Sequence, residues 1–310
     1  MENTSPQIVV VGSSNTDLVV RVPELPRPGE TLLGLDFQIH AGGKGANQAV
    51  AARRLGATVT LIANIGVDSF GEASIERFRA EGIRVGAIAR DTEAASGVAM
   101  IWVSETGQNS IVVALGSNAR LTPQHVEDAS GVFQNADVLL TQLETPLPTV
   151  AFALRTARSI GVRTILNPAP ATVLGSELLA DVDWITPNET EAARISGIEV
   201  RNVPDAEDAA NALRRMGARN VVVTMGEAGA LLMTDDESLH VPARRVQAVD
   251  TVAAGDAFNG AFAVALARNA TPREAAEFAC AAASLSVTRR GAQPALPTAD
   301  EVTKFASQLA

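Results

Sequence analysis

The chain has 310 residues, 46% of them hydrophobic, which is ample for one large α/β domain or two smaller ones. Its net charge is −10 and no basic run exceeds two residues, which argues against nucleic acid as a partner because phosphates need clustered lysine and arginine. A single cysteine allows no intrachain disulfide, no apolar stretch has the length of a membrane span, and the N-terminus lacks the regions of a signal peptide, so a cytoplasmic protein is expected.

Short apolar runs that predict strands alternate with amphipathic runs that predict helices. The strand-like runs are residues 8–11, 59–63, 138–143, 164–167, 184–186 and 221–224. The helix-like runs are residues 46–55, 71–80, 149–159 and 206–216, and a glycine typical of helix C-termini follows closely on each, at Gly56, Gly82, Gly161 and Gly217. This alternation predicts a mostly parallel sheet with helices on both faces, and such sheets bind ligands beyond the carboxyl ends of their strands.

Two segments break the alternation. Residues 16–40 contain two extended runs around a proline-rich stretch, and residues 97–115 have the pattern of a hairpin with its turn at 105–107. Because neither segment carries a crossover helix, we predict that together they form one small antiparallel sheet projecting from the main body. The apolar faces of the hairpin indicate an interface, since an exposed sheet edge needs covering.

A glycine-rich turn runs from Ala41 to Ala49 and reads AGGKGANQA. It is not a Walker A loop, because Gln38 stands in place of the first glycine and Gly45 in place of the Ser or Thr. It is not a dinucleotide-binding fingerprint either, because Gln48 replaces the last glycine, which excludes a typical NAD-dependent oxidoreductase. Taken alone, the turn is consistent with a tight connection before a helix.

A second motif, DTVAAGDAFNG, covers residues 250–260 and leads into a helical run over residues 257–268. Small residues at this turn let backbone N–H groups approach a ligand, and the helix N-terminus favours an anion. Asp256 at the junction suits a general base beside a phosphoryl group, with a pKa that the helix N-terminus is expected to lower. The alternative is that Asp256 only caps the helix.

The two motifs together resemble the signatures of the ribokinase, or pfkB, family of sugar kinases, and the resemblance covers nearly the whole chain. It implies a three-layer α/β/α fold with a mostly parallel central sheet, as a single domain over residues 1–310. It also implies that segments 16–40 and 97–115 form a β lid that closes over the sugar and pairs two subunits in a homodimer. Closure of such a lid would exclude water from phosphoryl transfer.

The implied activity is ATP-dependent phosphorylation of D-ribose at its 5-hydroxyl. A sibling kinase acting on 2-deoxyribose, fructose or a nucleoside stays open, as does a catalytically silent sugar-binding regulator of the same fold. The presence of Asp256 and of its small-residue turn argues against the regulator.

The resemblance also assigns the site residues. For catalysis these are Asp256 as base and the backbone amides of Ala253, Ala254, Gly255 and Asp256 as an anion hole. For the sugar they are Asn15, Asp17, Gly42, Gly43, Lys44, Asn47, Glu144 and Asp256, whose side chains suit hydroxyl groups but also suit turns and caps. For the nucleotide they are Asn188, Thr224, Gly226, Gly229, Ala254, Gly255 and Cys280. The histidines, His40, His125 and His240, match nothing catalytic.

Three of these assignments concern ions or leave an alternative open. Glu191 would act on Mg²⁺ through water, although Asn188 and Glu191 also fit a capping box. Cys280 would line the adenine, although plain helix packing is an alternative. A K⁺ site would use Asp250 and the carbonyls of Val252, Ser286, Arg289, Gly291 and Ala295, of which Ala295 replaces a serine found in some relatives.

Overall fold

The computed structural model describes residues 5–307; residues 1–4 and 308–310 of the predicted domain lie outside the described residues. The strands are β1 (Gln7–Val11), β2 (Asn15–Val22), β3 (Asp36–Gly42), β4 (Thr58–Gly66), β5 (Ile88–Asp91), β6 (Gly97–Ser104), β7 (Asn109–Ala114), β8 (Val138–Thr141), β9 (Arg163–Leu166), β10 (Trp184–Ile185), β11 (Asn220–Thr224), β12 (Ala230–Met233) and β13 (Ser238–Val241). The α-helices are α1 (Lys44–Arg54), α2 (Ser69–Ala80), α3 (Pro123–Asp128), α4 (Leu147–Ser159), α5 (Ser176–Leu179), α6 (Glu189–Ser196), α7 (Val203–Arg215), α8 (Ala254–Ala267), α9 (Pro272–Ser286) and α10 (Ala299–Ser307). Between residues 5 and 307, no helix combines the length and hydrophobicity needed to cross a bilayer.

Nine strands form the large sheet, in the order β13-β12-β11-β10-β9-β8-β1-β4-β5. All neighbours are parallel except β11 with β12 and β12 with β13. The central strands are buried on both faces because they consist of continuous apolar residues, as parallel sheets require. The predicted strands and helices all form, with ends displaced by a few residues.

Helices cover both faces of this sheet and give three layers. Along β1, Ile8 and Val10 enter one hydrophobic core with α1, α2, α8, α9 and α10, whereas Val9 and Val11 enter a second core with α3 to α7. This alternation follows from the two-residue period of a strand. The predicted helix-terminal glycines adopt positive φ angles of 98° at Gly56, 77° at Gly82, 82° at Gly161 and 125° at Gly217.

The small sheet contains four strands in the order β3-β2-β6-β7. The prediction that it is antiparallel is wrong at its centre, where β2 and β6 pair in parallel from Asn15 with Gly97 to Val22 with Ser104. The reason is the path of the chain between the two strands. After β3 the chain passes through α1, β4, α2 and β5 of the main body, and it returns to the small sheet as β6, which runs in the same direction as β2. The outer pairs, β2 with β3 and β6 with β7, are antiparallel as predicted.

Candidate active site

The small sheet joins the large one at the carboxyl end of β1. Asn15, the first residue of β2, pairs with Gly42 at the end of β3 and with Gly97 at the start of β6. Helix α1 begins two residues after Gly42, and its Ala46 N–H donates to the carbonyl of Ser13 at 2.8 Å. Both sequence motifs therefore meet at one edge, with α8 packed against α1.

Two glycines allow this close packing. A methyl group on Gly45 would stand 2.5 Å from the backbone nitrogen of Ser13, and one on Gly260 would stand 2.5 Å from Cβ of Ala51. Because Gly45 and Gly260 have no side chain, α1 lies directly on the end of β1 and on α8. The amides of α1 consequently reach the first turn of α8.

Asp256 lies buried in that first turn and is held by two side-chain amides. Its Oδ2 accepts a hydrogen bond from Asn47 Nδ2 at 2.9 Å, and its Oδ1 accepts one from Gln48 Nε2 at 3.0 Å. The acid therefore has a fixed orientation and does not cap the helix with its side chain; Ala253 occupies the N-cap position.

The expectation that the helix N-terminus lowers the pKa of Asp256 is wrong. Burial raises the pKa of this carboxyl, and the charge of Lys44 with the hydrogen bonds from Asn47 and Gln48 opposes the rise without cancelling it. A group whose proton affinity is increased in this way is better suited to accept a proton than an exposed aspartate.

The turn before α8 presents backbone N–H groups. Ala253 has a left-handed conformation, with φ of 61°, which turns the chain into the helix. Of the four predicted anion-hole amides, that of Ala254 is already engaged, because its N–H donates to the carbonyl of Thr251 at 3.2 Å. The N–H groups of Ala253, Gly255 and Asp256 have no hydrogen-bond partner within residues 5–307. Three donors beside a carboxylate at a helix N-terminus form an anion-binding arrangement.

The structure brings the predicted sugar residues together around Asp256. Glu144 Oε2 accepts from Ser13 Oγ at 2.5 Å and from the backbone N–H of Lys44 at 2.9 Å. Asp17 lies against Gly42, where a methyl group would stand 2.3 Å from Asp17 Oδ1, so this contact requires glycine.

Four carboxylates, those of Asp17, Glu144, Glu191 and Asp256, and the ammonium group of Lys44 form one electrostatic cluster. Burial raises the pKa of Asp17 to about 6, with further contributions from the charges of Glu144 and Asp256. Burial tends to lower the pKa of Lys44, but attraction by Asp256, Glu144 and Glu191 outweighs it and the net direction is upward. Clustered groups with mutually perturbed proton affinities are typical of functional sites.

Asn188 and Glu191 do form the capping box. Glu191 N–H donates to Asn188 Oδ1 at 2.8 Å, and Asn188 N–H donates to Glu191 Oε2 at 2.9 Å. Burial raises the pKa of Glu191, while the Asn188 N–H and the charge of Lys44 oppose the rise. Because the charges of Lys44 and Asp256 also act on Glu191, this carboxylate belongs to the same electrostatic cluster as well as to the cap.

Four of the predicted nucleotide residues, Thr224, Gly226, Gly229 and Cys280, lie along the edge formed by β11 to β13 and α9. Asn188 bridges Thr224 from the start of α6, and Ala254 and Gly255 lie apart in the first turn of α8. After Thr224, the loop turns at Gly226 with φ of 52° and Gly229 with φ of 100°, and a methyl group on Gly229 would stand 2.1 Å from the carbonyl oxygen of Val241. Cys280 Sγ lies 3.9 Å from the same carbonyl, and burial raises the thiol pKa to about 12. Cys280 therefore carries a neutral thiol and lies beside this loop.

The predicted cation ligands lie in two adjoining turns. Asp250 Oδ1 accepts from Val252 N–H at 3.0 Å and Oδ2 from Gly291 N–H at 2.8 Å, which ties the turn before α8 to the turn after α9. The Ser286 carbonyl accepts from Arg289 N–H at 3.1 Å, and the Arg289 side chain pairs with Glu301. Ala295 is buried and offers only its carbonyl, so the donors here are carbonyls and one carboxylate, which are the ligands of a hard cation.

Sequence reasoning missed several buried side chains of this site. Asn118 donates to Asn15 Oδ1 at 2.8 Å, and Gln293 Nε2 donates to Asn47 Oδ1 at 3.2 Å. Gln48 contacts Asp256 directly. Gln48 carried a signal as the neighbour of Asn47 in the glycine-rich motif, and Gln293 as part of the RGAQP stretch at residues 290–294, which also resembles the family. Asn118 belongs to a segment without a motif.

A sequence model described as pfkB family carbohydrate kinase matches residues 5–299. The chain belongs to the pfkB family of carbohydrate kinases. A ribokinase from Haemophilus influenzae is 44% identical over 298 residues, which cover 96% of this chain and 97% of that protein. A deoxyribokinase from Salmonella typhi is 38% identical over 301 residues, covering 97% and 98%.

Solved structures agree with this membership. The structure of Arabidopsis thaliana ribokinase complexed with ribose and ATP superposes with a TM-score of 0.92 at 32% identity, covering 97% of this chain and 99% of that one. The family, the three-layer fold and the carbohydrate kinase activity predicted from the two motifs are thus confirmed.

Proposed function

We propose that this chain transfers the γ-phosphoryl group of ATP to the 5-hydroxyl of D-ribose, giving D-ribose 5-phosphate and ADP. The observation that carries the proposal is the buried Asp256 carboxylate beside three backbone N–H groups that have no partner within residues 5–307, in a cluster of carboxylate and amide side chains. The ribokinase relative from Haemophilus influenzae supports ribose as the acceptor.

In this mechanism Asp256 accepts the proton of the attacking hydroxyl. The N–H groups of Ala253, Gly255 and Asp256 stabilise the charge that develops on the transferred phosphoryl group. Asn15, Asp17 and Glu144 orient the sugar with the Gly42–Gly43 backbone, Lys44 and Asn47, and the residues from Thr224 to Gly229 with Cys280 border the nucleotide.

Two ions belong to the proposal. Mg²⁺ bound to ATP would neutralise phosphate charge, and Glu191 and Asn188 fit an indirect role because their carboxylate and amide oxygens suit its bound waters. K⁺ would be held by Asp250 and by the carbonyls of Val252, Ser286, Arg289, Gly291 and Ala295. Because Asp250 also accepts a hydrogen bond from Val252 N–H, the bound ion would stabilise the turn before α8.

The test is ADP release from ATP and Mg²⁺ with ribose, 2-deoxyribose, fructose or adenosine, in KCl and in NaCl. We expect the highest kcat/KM on ribose and faster turnover in KCl. The Asp256→Asn variant, purified identically, controls for a contaminating kinase. Equal rates in the two salts would contradict the K⁺ site, and absence of turnover on every acceptor would favour the catalytically silent regulator.

The second candidate is 2-deoxyribose kinase activity, which the Salmonella typhi deoxyribokinase favours at 38% identity and similar coverage. The same panel decides between the two. A higher kcat/KM for 2-deoxyribose than for ribose would retain the mechanism and change the acceptor. A cytoplasmic location stays a prediction.

We further propose that the chain is one catalytic domain whose small sheet, built from segments 16–40 and 97–115, acts as a lid and pairs with that of a second copy. Support comes from apolar side chains on this sheet that are half exposed, at 56% for Phe37, 52% for Ile39, 52% for Ile111 and 55% for Val112. Exposed apolar surface of this kind marks an interface.

We therefore expect sedimentation equilibrium to give twice the chain mass of 32.2 kDa. Ile111→Asp should shift the protein to monomer, because it places a charge in the apolar contact. Val173→Asp is the matched control, since Val173 is 83% exposed and lies outside the small sheet. A monomeric wild-type protein at micromolar concentration would contradict pairing through the lid.

A further inference from the structure

Three side-chain amides form a buried chain behind Asp256: Gln142, Gln48 and Asn167, exposed by only 1%, 0% and 6%. Gln48 Nε2 donates to Asp256 Oδ1 and to Asn167 Oδ1, both at 3.0 Å. Gln48 Oε1 accepts from Gln142 Nε2 at 2.5 Å. The carboxylate is thereby linked to the ends of β8 and β9, the two strands that Gln142 and Asn167 follow.

The direction of these hydrogen bonds is fixed from one end. The Thr186 carbonyl can only accept, so Asn167 turns its Nδ2 towards it, at 3.0 Å, and its Oδ1 towards Gln48. Gln48 then faces two acceptors, Asn167 Oδ1 and the Asp256 carboxylate, and must present its NH₂ group to both. Its Oε1 is left for Gln142 Nε2.

The last member of the chain lacks a partner. Gln142 Oε1 is buried and accepts no hydrogen bond from any residue between 5 and 307. A methyl group on Gly12 would stand 2.3 Å from it, so only glycine admits this orientation. A buried acceptor without a donor is unfavourable. The opposite orientation of the Gln142 amide would place its oxygen against Gln48 Oε1, and Gln48 would then have to turn its own oxygen towards the Asp256 carboxylate. The structure therefore keeps Gln142 Oε1 without a partner.

We propose that Gln48, held by Gln142 and Asn167, is the positioning residue for Asp256 and keeps its carboxylate oriented and ionised for proton acceptance. This inference rests on the proposed function, because it assumes that Asp256 accepts the sugar proton. The bond from Gln48 favours the charged form of Asp256 and so opposes the rise in pKa caused by burial.

The test is the Gln48→Met variant, which retains the length of the side chain and removes both of its hydrogen-bonding groups. We expect kcat with ribose to fall on the order of 10 to 10²-fold, because displacement of a reacting group by about 1 Å has effects of this size. The KM for ribose should change little. The acid limb of the kcat–pH profile should move to higher pH, because the carboxylate loses one of its two amide donors.

Gln142→Met is the second variant, since it leaves Gln48 in place but frees its amide to rotate. It removes the unpartnered acceptor Gln142 Oε1 but leaves Gln48 Oε1 without a donor, so we expect an unchanged melting temperature. We also expect a lower kcat and an acid limb of the kcat–pH profile that moves to higher pH, as in Gln48→Met. If Gln48→Met does not fold, this variant alone decides the question. Gln124→Met, on the exposed face of α3, is the matched control and should behave as wild type.

A wild-type pH profile and kcat in folded Gln48→Met and Gln142→Met would overturn the inference and leave the proposed function intact. A rise in ribose KM with unchanged kcat would also overturn it, because that result indicates a sugar-binding role. If the wild-type chain itself does not phosphorylate ribose or another sugar, the proposed function fails, and with it the inference.

Discussion

The Asp256→Asn variant is expected to have a kcat lower by about 10²–10⁴-fold, because this is the usual contribution of a positioned general base. The variant keeps the size of the side chain but removes its ability to accept a proton. Ribose affinity should change little, because the remaining sugar residues around Asp17 and Glu144 are unaltered. The measurements are steady-state kinetics and calorimetric titration with ribose.

Loss of activity through unfolding is not expected in this variant. The folded-state pKa of Asp256 is raised, so ionisation of this group at neutral pH opposes folding, and a neutral amide avoids that cost. We expect an equal or higher melting temperature, with the loss of one hydrogen bond from Asn47 or Gln48 as the opposing term. Asp208→Asn, on the exposed side of α7, is the control and should match wild type in both measurements.

The pH profile provides a second check on the same residue. A base must be unprotonated to act, so wild-type kcat/KM should be highest above the raised pKa of Asp256 and fall as the pH drops through it. Protonation of Asp17, whose pKa is raised to about 6, should add a second decrease. In the Asp256→Asn variant, the pH dependence of the residual kcat/KM should reflect only the titration of Asp17. Wild-type kcat in the variant would contradict the assignment of Asp256 as the base.

The layers of this fold and the edge that carries the site could be predicted from the sequence because both depend on local patterns. Continuous apolar runs indicate parallel strands buried on both faces, and the carboxyl ends of such strands meet at one edge. Asn15, Glu144 and Asn188 each stand at or after such a run, and the structure places them around α8. The glycine-rich motif likewise predicted a turn into a helix, which forms at α1.

Other features depend on which distant segments meet, and no local pattern encodes them. The parallel pairing of β2 with β6 follows from the path of the chain between them and not from the hairpin pattern of residues 97–115. Asn118 contacts Asn15 across 103 residues of sequence. The direction of the Asp256 pKa shift cannot be predicted from the sequence, because the dipole of α8 is visible in the sequence whereas burial of the carboxyl is a property of the packed structure.

Gly45→Ala tests the packing that brings the two motifs together, and it sets two opposing effects against each other. Alanine is favoured over glycine within a helix by about 1 kcal/mol. The new methyl group, however, would stand 2.5 Å from Ser13 N, 2.6 Å from Gly12 C and 2.7 Å from Gly12 Cα. All three are backbone atoms of the segment that follows β1, so no side chain can rotate away.

Helix α1 must therefore move off the end of β1, which lengthens the hydrogen bond from Ala46 N–H to the Ser13 carbonyl. Overpacking of this kind lowers the free energy of unfolding by roughly 1–3 kcal/mol, and here the obstacle is rigid, so we expect a net loss in that range despite the better helix former. The same movement displaces Asn47 and Gln48 from Asp256, and a shift of about 1 Å is enough to lower kcat on the order of 10²-fold.

Urea denaturation and steady-state kinetics on the same preparations measure both effects. Gly131→Ala is the matched control, because a methyl group there meets nothing within 4 Å and the residue does not have a positive φ angle. It should leave stability and kcat close to wild type. If Gly45→Ala behaved like this control, α1 would not need its close approach to β1, and the geometry that delivers two amides to Asp256 would have to depend on other contacts.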